Sequence, residues 1–141
     1  MNVALGCDHG GFELKTEICQ VLEQAGHTVN DVGCFSDQSV DYPEFADKVC
    51  SAVADGPSDR GILICGTGIG MSIAANRHRQ IRAALCHEAV TARMSREHND
   101  ANVLCLGARV LGVSIAVDIV RVWLETEFVG GRHLRRISMM G

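Results

Sequence analysis

Short runs of branched apolar residues alternate along this chain with longer stretches whose apolar positions recur every three or four residues. Val3-Ala4-Leu5-Gly6-Cys7 reads as a strand, followed by a turn at Asp8-His9-Gly10-Gly11. From Phe12, the residues Leu14, Ile18, Val21, Leu22 and Ala25 fall on one helical stripe, and Gly26 is placed to end it. His27 to Val32 predicts a second strand closed by Gly33, and a polar loop spans Ser36 to Asp41. Tyr42-Pro43 opens a second helix with the stripe Phe45, Val49, Ala52 and Val53, stopped at Gly56-Pro57. Ile62-Leu63-Ile64 predicts a buried third strand, and Ser72 to Asn76 is helix-compatible. Arg82 to Cys86 predicts a fourth strand, Glu88 to His98 a weakly striped helix, and Asn102 to Gly107 a fifth strand. The helix from Val113 to about Glu125 has Ala116, Ile119, Val120, Trp123 and Leu124 on one face, with Val113, Val117 and Val122 on others. A helix apolar on so many sides has two partners, so a subunit interface is expected there. Gly130-Gly131 then releases the basic tail Arg132-His133-Leu134-Arg135-Arg136.

Strands alternating with amphipathic helices predict an α/β fold with a parallel sheet. Residues 1–141 form one domain in this reading, with 130–141 as a C-terminal tail. In such sheets ligands bind beyond the carboxyl ends of the strands. That rule gathers Asp8 and His9, the stretch Cys65 to Gly70, Arg109, and the pair His87 and Glu88.

The centre of the chain carries the sharpest signal. After Ile62 to Ile64 comes Cys65, then glycine at positions 66, 68 and 70, then a helix start. A strand passing through such a loop leaves backbone N–H groups pointing outward, a nest for an anion or a developing oxyanion. Cys65 stands at its lip, near the positive end of a helix, where a thiolate is favoured. Two nucleotide readings fail there. The dinucleotide fingerprint needs glycine or alanine at position 71, which is Met71. A P-loop needs Gly-Lys-Ser/Thr, which is missing. On position alone, Cys65 reads equally well as a plain buried apolar residue.

Composition narrows the class. A hydrophobic fraction of 47% excludes disorder, and a net charge of −4 argues against nucleic acid. No apolar run is long enough for a membrane span, and the start of the chain is not read as a signal peptide. The seven cysteines form no Cys-x-x-Cys pair, which argues against a disulfide framework and a zinc site, and fits a reducing cytoplasm.

Five segments together carry a resemblance. They are Gly6 to Phe12 (GCDHGGF), Asp41-Tyr42-Pro43, Ile64 to Asn76 (ICGTGIGMSIAAN), Ser95 to Asn102 (SREHNDAN) and Gly130-Gly131-Arg132-His133. In this order they resemble the ribose-5-phosphate isomerase B family, which includes allose- and galactose-6-phosphate isomerases. The resemblance implies a Rossmann-like three-layer α/β sandwich around a mostly parallel five-stranded sheet. It implies interconversion of an aldose and a ketose phosphate without metal or organic cofactor, in a homodimer or homotetramer. Cys65 takes the place of the catalytic base, with Thr67 as a hydrogen-bonding relay. The amides of Gly66, Gly68 and Gly70 face the enediolate. His98 matches the histidine that opens the sugar ring, with Asp8 as its helper, and Asn99 a position that contacts the sugar. His9, Arg132, His133 and Arg136 match the phosphate pocket, and Arg109 is a further candidate.

Plainer readings stand beside these. His98 alone reads as a surface histidine near a helix end, His9 as a turn residue, and the tail as a solvated basic end. If the tail is helical, Arg132 and Arg136 share one face and Arg135 points away. No path returns the tail to its own Cys65 loop, so it is expected to enter a partner's site, making each active site composite. Rival functions are a hexose-phosphate isomerase of the same family and a non-catalytic sugar-phosphate binder. The presence of Cys65, Thr67 and His98 argues against the binder.

Overall fold

A computed structural model describes residues 1–141. The strands are β1 (Asn2–Cys7), β2 (Thr28–Gly33), β3 (Arg60–Cys65), β4 (Ala83–Leu85) and β5 (Val103–Gly107). The helices are α1 (Phe12–Gln24), α2 (Tyr42–Ala54), α3 (Ile69–Ala75), α4 (Ala89–Glu97), α5 (Val113–Glu125) and α6 (Arg132–Ser138). The strands form one sheet in the order β2-β1-β3-β5-β4, and every pairing is parallel. The expected α/β sandwich is therefore present, with a wholly rather than mostly parallel sheet. α2 packs with α3, while α1 and α4 both pack with α5, giving a helical layer on each face.

The central strands are buried along their whole length, as strands covered by helices on both faces must be. The chain steps from β1 to β2 in one direction and builds the rest of the sheet in the other. That reversal opens a crevice beyond the carboxyl ends of β1 and β3, the ligand position in this class of sheet. Gly11 roofs the crevice closely: a Cβ there would stand 2.6 Å from the Ile64 carbonyl oxygen. The turn therefore lies against β3 only because residue 11 has no side chain.

Two element boundaries differ from the sequence expectation. α3 starts at Ile69, three residues before Ser72. Gly68 takes φ = 78° and the Thr67 hydroxyl accepts the Ile69 N–H at 3.2 Å, so the turn is complete before Gly70. The tail is a two-turn helix, α6. No helix is long and apolar enough to cross a membrane.

At the amino edge of the sheet, the fully buried Trp123 lies between two guanidiniums, Arg60 at 5.4 Å and Arg96 at 5.9 Å from its ring. Arg60 also donates to the carbonyls of Trp123 and Leu124, both at 3.0 Å. Burial holds the Arg60 guanidinium below its usual pKa, and the neighbouring Arg96 charge adds to this. Trp123→Ala is expected to lower stability by about 3–5 kcal/mol, the usual cost of deleting a buried large aromatic. Chemical denaturation at fixed protein concentration measures it, and a loss near zero would mean the ring is not a packing element.

Candidate active site

The polar groups beyond β1, β3 and β5 assemble around the glycine loop. The Cys65 sulfur accepts the Gly68 N–H at 3.1 Å. One of the three amides expected to face an oxyanion is thus turned onto the thiol, an arrangement suited to a sulfur carrying negative charge. Other thiols lack this setting. Burial pushes Cys7 and Cys50 up to about 12, and Cys105 well above the ordinary thiol value.

Asp8 is buried, and its carboxylate accepts the N–H groups of Gly10 at 2.9 Å and Gly11 at 3.2 Å. It caps the turn that brings His9 forward. The His9 Nδ1 accepts the Val40 N–H at 3.2 Å, so a neutral His9 carries its proton on Nε2. The loop holding Val40 is itself tied down. The buried Lys15 ammonium donates to both Asp31 oxygens at 2.7 and 2.8 Å and to the Cys34 carbonyl at 2.7 Å. Arg109 donates its backbone N–H to the Gly66 carbonyl at 2.9 Å. Its guanidinium lies across Gly66, where a Cβ would meet Nη1 at 3.4 Å. Arg109 and His9 line one cleft of about 390 Å³. Thr67 is exposed at the top of the loop.

His98, Asn99, Arg132, His133 and Arg136 form a second group. The His98 and His133 rings stack at 4.3 Å with 11° between planes. The Val129 N–H donates to the Glu97 carbonyl at 3.1 Å, which docks the chain before α6 on the end of α4. Arg132 and Arg136 lie one turn apart on α6 and share a face. Loss of hydration lowers the His133 pKa, and the neighbouring His98, Arg132 and Arg136 lower it further.

The two groups stand at opposite edges of the sheet. α4 runs back against the strand direction, so His98 and Asn99 lie at the amino edge, just before β5. The Gly61 N–H donates to the Asn102 carbonyl there, whereas Cys65 pairs with Gly107 at the carboxyl edge. Four residue steps separate Gly61 from Cys65, about 13 Å of strand. Within one chain, then, Asp8 is not beside His98, and the expected helper pairing does not form.

One residue the sequence gave no role also faces the loop. A Cβ on Gly70 would stand 2.6 Å from the Tyr42 ring, so Tyr42, 39% exposed, walls the nest. Its place in the Asp41-Tyr42-Pro43 segment of the resemblance was the available signal. The Val40 contact is made by backbone and has no side-chain signal.

A thiol, a histidine and an arginine thus gather beyond the carboxyl ends of β1, β3 and β5, where sheets of this class bind ligands. The chain belongs to the ribose/galactose isomerase family, which matches it over residues 3–140. It is 51% identical over 136 residues to a ribose-5-phosphate isomerase B of Escherichia coli, covering 96% of this chain and 91% of that protein. A solved ribose-5-phosphate isomerase B from Clostridium thermocellum superposes with a TM-score of 0.99 at 55% identity, covering 100% of this chain and 95% of that one. The Thermotoga maritima ribose 5-phosphate isomerase gives 0.97 at 49% identity, covering 99% and 96%.

Gly68→Ala tests the nest. Its φ of 78° disfavours any side chain, and a Cβ would stand 2.5 Å from Leu85 Cδ1 and 2.9 Å from the Leu106 carbonyl carbon. The variant is expected to lose about 1–3 kcal/mol of stability. Most of its activity should go too, because the N–H that holds the sulfur moves. Denaturation and turnover measured on one preparation check both, and full turnover would show that the Gly68 amide is dispensable.

Proposed function

We propose that this protein is an aldose–ketose isomerase that interconverts ribose 5-phosphate and ribulose 5-phosphate through a cis-enediolate, in sites shared by two subunits. The Cys65 sulfur held by the Gly68 amide carries the chemistry of this reading. The thiolate takes the proton from C2 of the open-chain aldose and returns it to C1. Charge developing on the substrate oxygens meets the Gly66 and Gly70 amides and the Thr67 hydroxyl. His98 moves the proton that opens the furanose ring, Asn99 holds the sugar, and His9, Arg109, Arg132, His133 and Arg136 surround the phosphate. Isomerases of ribose 5-phosphate at 49–55% identity and near-complete coverage support the substrate. The seven free cysteines fit a cytoplasmic enzyme.

The need for two subunits follows from the distance between the groups. A two-fold axis places one subunit's amino-edge group against its partner's carboxyl-edge group, and does so twice. Exposed apolar residues are available for such a contact: Ile69 and Ile73 on α3, Val90 and Met94 on α4, Leu134 on α6. The partner then supplies His98 together with the arginines, because His98 is stacked on the tail of its own chain. Asp8 and the partner's histidine become neighbours only in this assembly.

Cys65→Ala should abolish isomerisation while sugar-phosphate binding persists, measured by coupled assay and calorimetry. Turnover like that of the unaltered protein would sink the base assignment. Co-refolding Cys65→Ala subunits with His98→Asn subunits should restore activity, because each mixed dimer has one intact site. Random pairing gives about a quarter of the original sites. A mixture with proven heterodimers and no activity would place His98 and Cys65 in the same subunit.

A further inference from the structure

The turn that ends α4 has a backbone suited to glycine and holds an acid. The Ala101 N–H donates to the Ser95 carbonyl at 2.9 Å and the Asp100 N–H to the Arg96 carbonyl at 3.2 Å. The second is the bond of an αL helix ending, whose left-handed residue is usually glycine. Asp100 occupies that place with φ = 46°, the one non-glycine residue of the chain at positive φ. Glycine would end the helix with less strain. The carboxylate therefore does something that ending the helix does not require.

Its partners show what that is. Arg96 forms an ion pair with Oδ1 at 2.9 Å, and Arg82 donates to Oδ2 at 3.2 Å. Arg82, just before β4, also holds the Asn99 carbonyl at 3.0 Å and the Asp100 carbonyl at 2.9 Å. Arg96 is only 4% exposed and donates to the Ala101 carbonyl at 2.6 Å. Its Nε donates to the Thr126 carbonyl at 3.3 Å, on the segment that delivers α6. One carboxylate and two arginines thus join the turn bearing His98 and Asn99, the start of β4, and the lead-in to Arg132 and His133.

We infer that Asp100 is a positioning residue: held between Arg82 and Arg96, its carboxylate sets where the His98 imidazole and the Asn99 amide stand relative to the phosphate-binding tail. The inference rests on the reading that His98 and α6 serve one active site. Asp100 touches no substrate and acts through the turn.

The test is Asp100→Gly in the full-length protein. Glycine accepts the left-handed turn, and both arginines keep their carbonyl partners, so folding survives. Turnover of ribose 5-phosphate should fall roughly tenfold, a modest version of the penalty for misplacing a reacting group. The fall should be smaller on 4-deoxyribose 5-phosphate, which lacks the ring-forming hydroxyl and stays open-chain. The His98 and His133 imidazole signals in NMR should shift or broaden. Asp100→Asn, which keeps an acceptor oxygen, should recover part of both effects. Unchanged turnover of ribose 5-phosphate, or equal losses on both aldoses with unmoved imidazole signals, would overturn the assignment. If His98→Asn proves indifferent to ring closure, the functional reading fails instead. The imidazole signals of Asp100→Gly still report whether the carboxylate sets the turn.

Discussion

Parallel pairing is the constraint from which the arrangement of this molecule follows. Every strand must begin at one edge of the sheet and end at the other, and each crossover helix must carry the chain back. Groups that follow a strand therefore collect at one edge, and groups that follow a helix collect at the opposite one. Asp8, His9, Cys65 and Arg109 belong to the first set, His98 and Asn99 to the second. The six buried residues of β3, paired on both sides, fix this polarity in the middle of the core. A slip of β3 by one residue would turn its buried side chains to the wrong helical layer and move the thiol off the nest.

Charge is used sparingly inside this frame, and where it occurs it fastens loops. Lys15 reaches from α1 to hold the chain after β2, and that chain in turn presents Val40 to His9. Arg60 and Arg96 grip carbonyls at the end of α5 and just beyond it from either side of Trp123. Each buried cation has hydrogen-bond acceptors that offset its lost hydration, which is the condition for keeping charge inside a domain.

Much of this was legible in the residues. Short continuous apolar runs located the five strands and three-to-four-residue apolar spacing the long helices, because burial dictates those positions directly. The start of α3 was not legible, since Gly70 resembles a loop residue until the Tyr42 ring beside it is known. α6 has no buried residue to reveal its period. The chemistry-bearing residues were visible as motifs, but their grouping was not. Asp8 and His98 suggest partnership by type, while the sheet polarity that separates them is a property of topology. The Val40 amide on His9 and the Gly68 amide on Cys65 are backbone groups, which leave no mark in a side-chain pattern.

The ring stack of His98 on His133 has a consequence for how the enzyme is assembled. The tail folds onto its own chain, so under the proposed reading one subunit carries both groups of site residues, at opposite edges of its sheet. Association in the proposed dimer is then the docking of two preformed surfaces, with little chain left to order. In that assembly, a subunit diluted below its dimerisation constant would be inert because its two groups of site residues would have no counterparts. Catalytic output per chain would then report how crowded the subunits are.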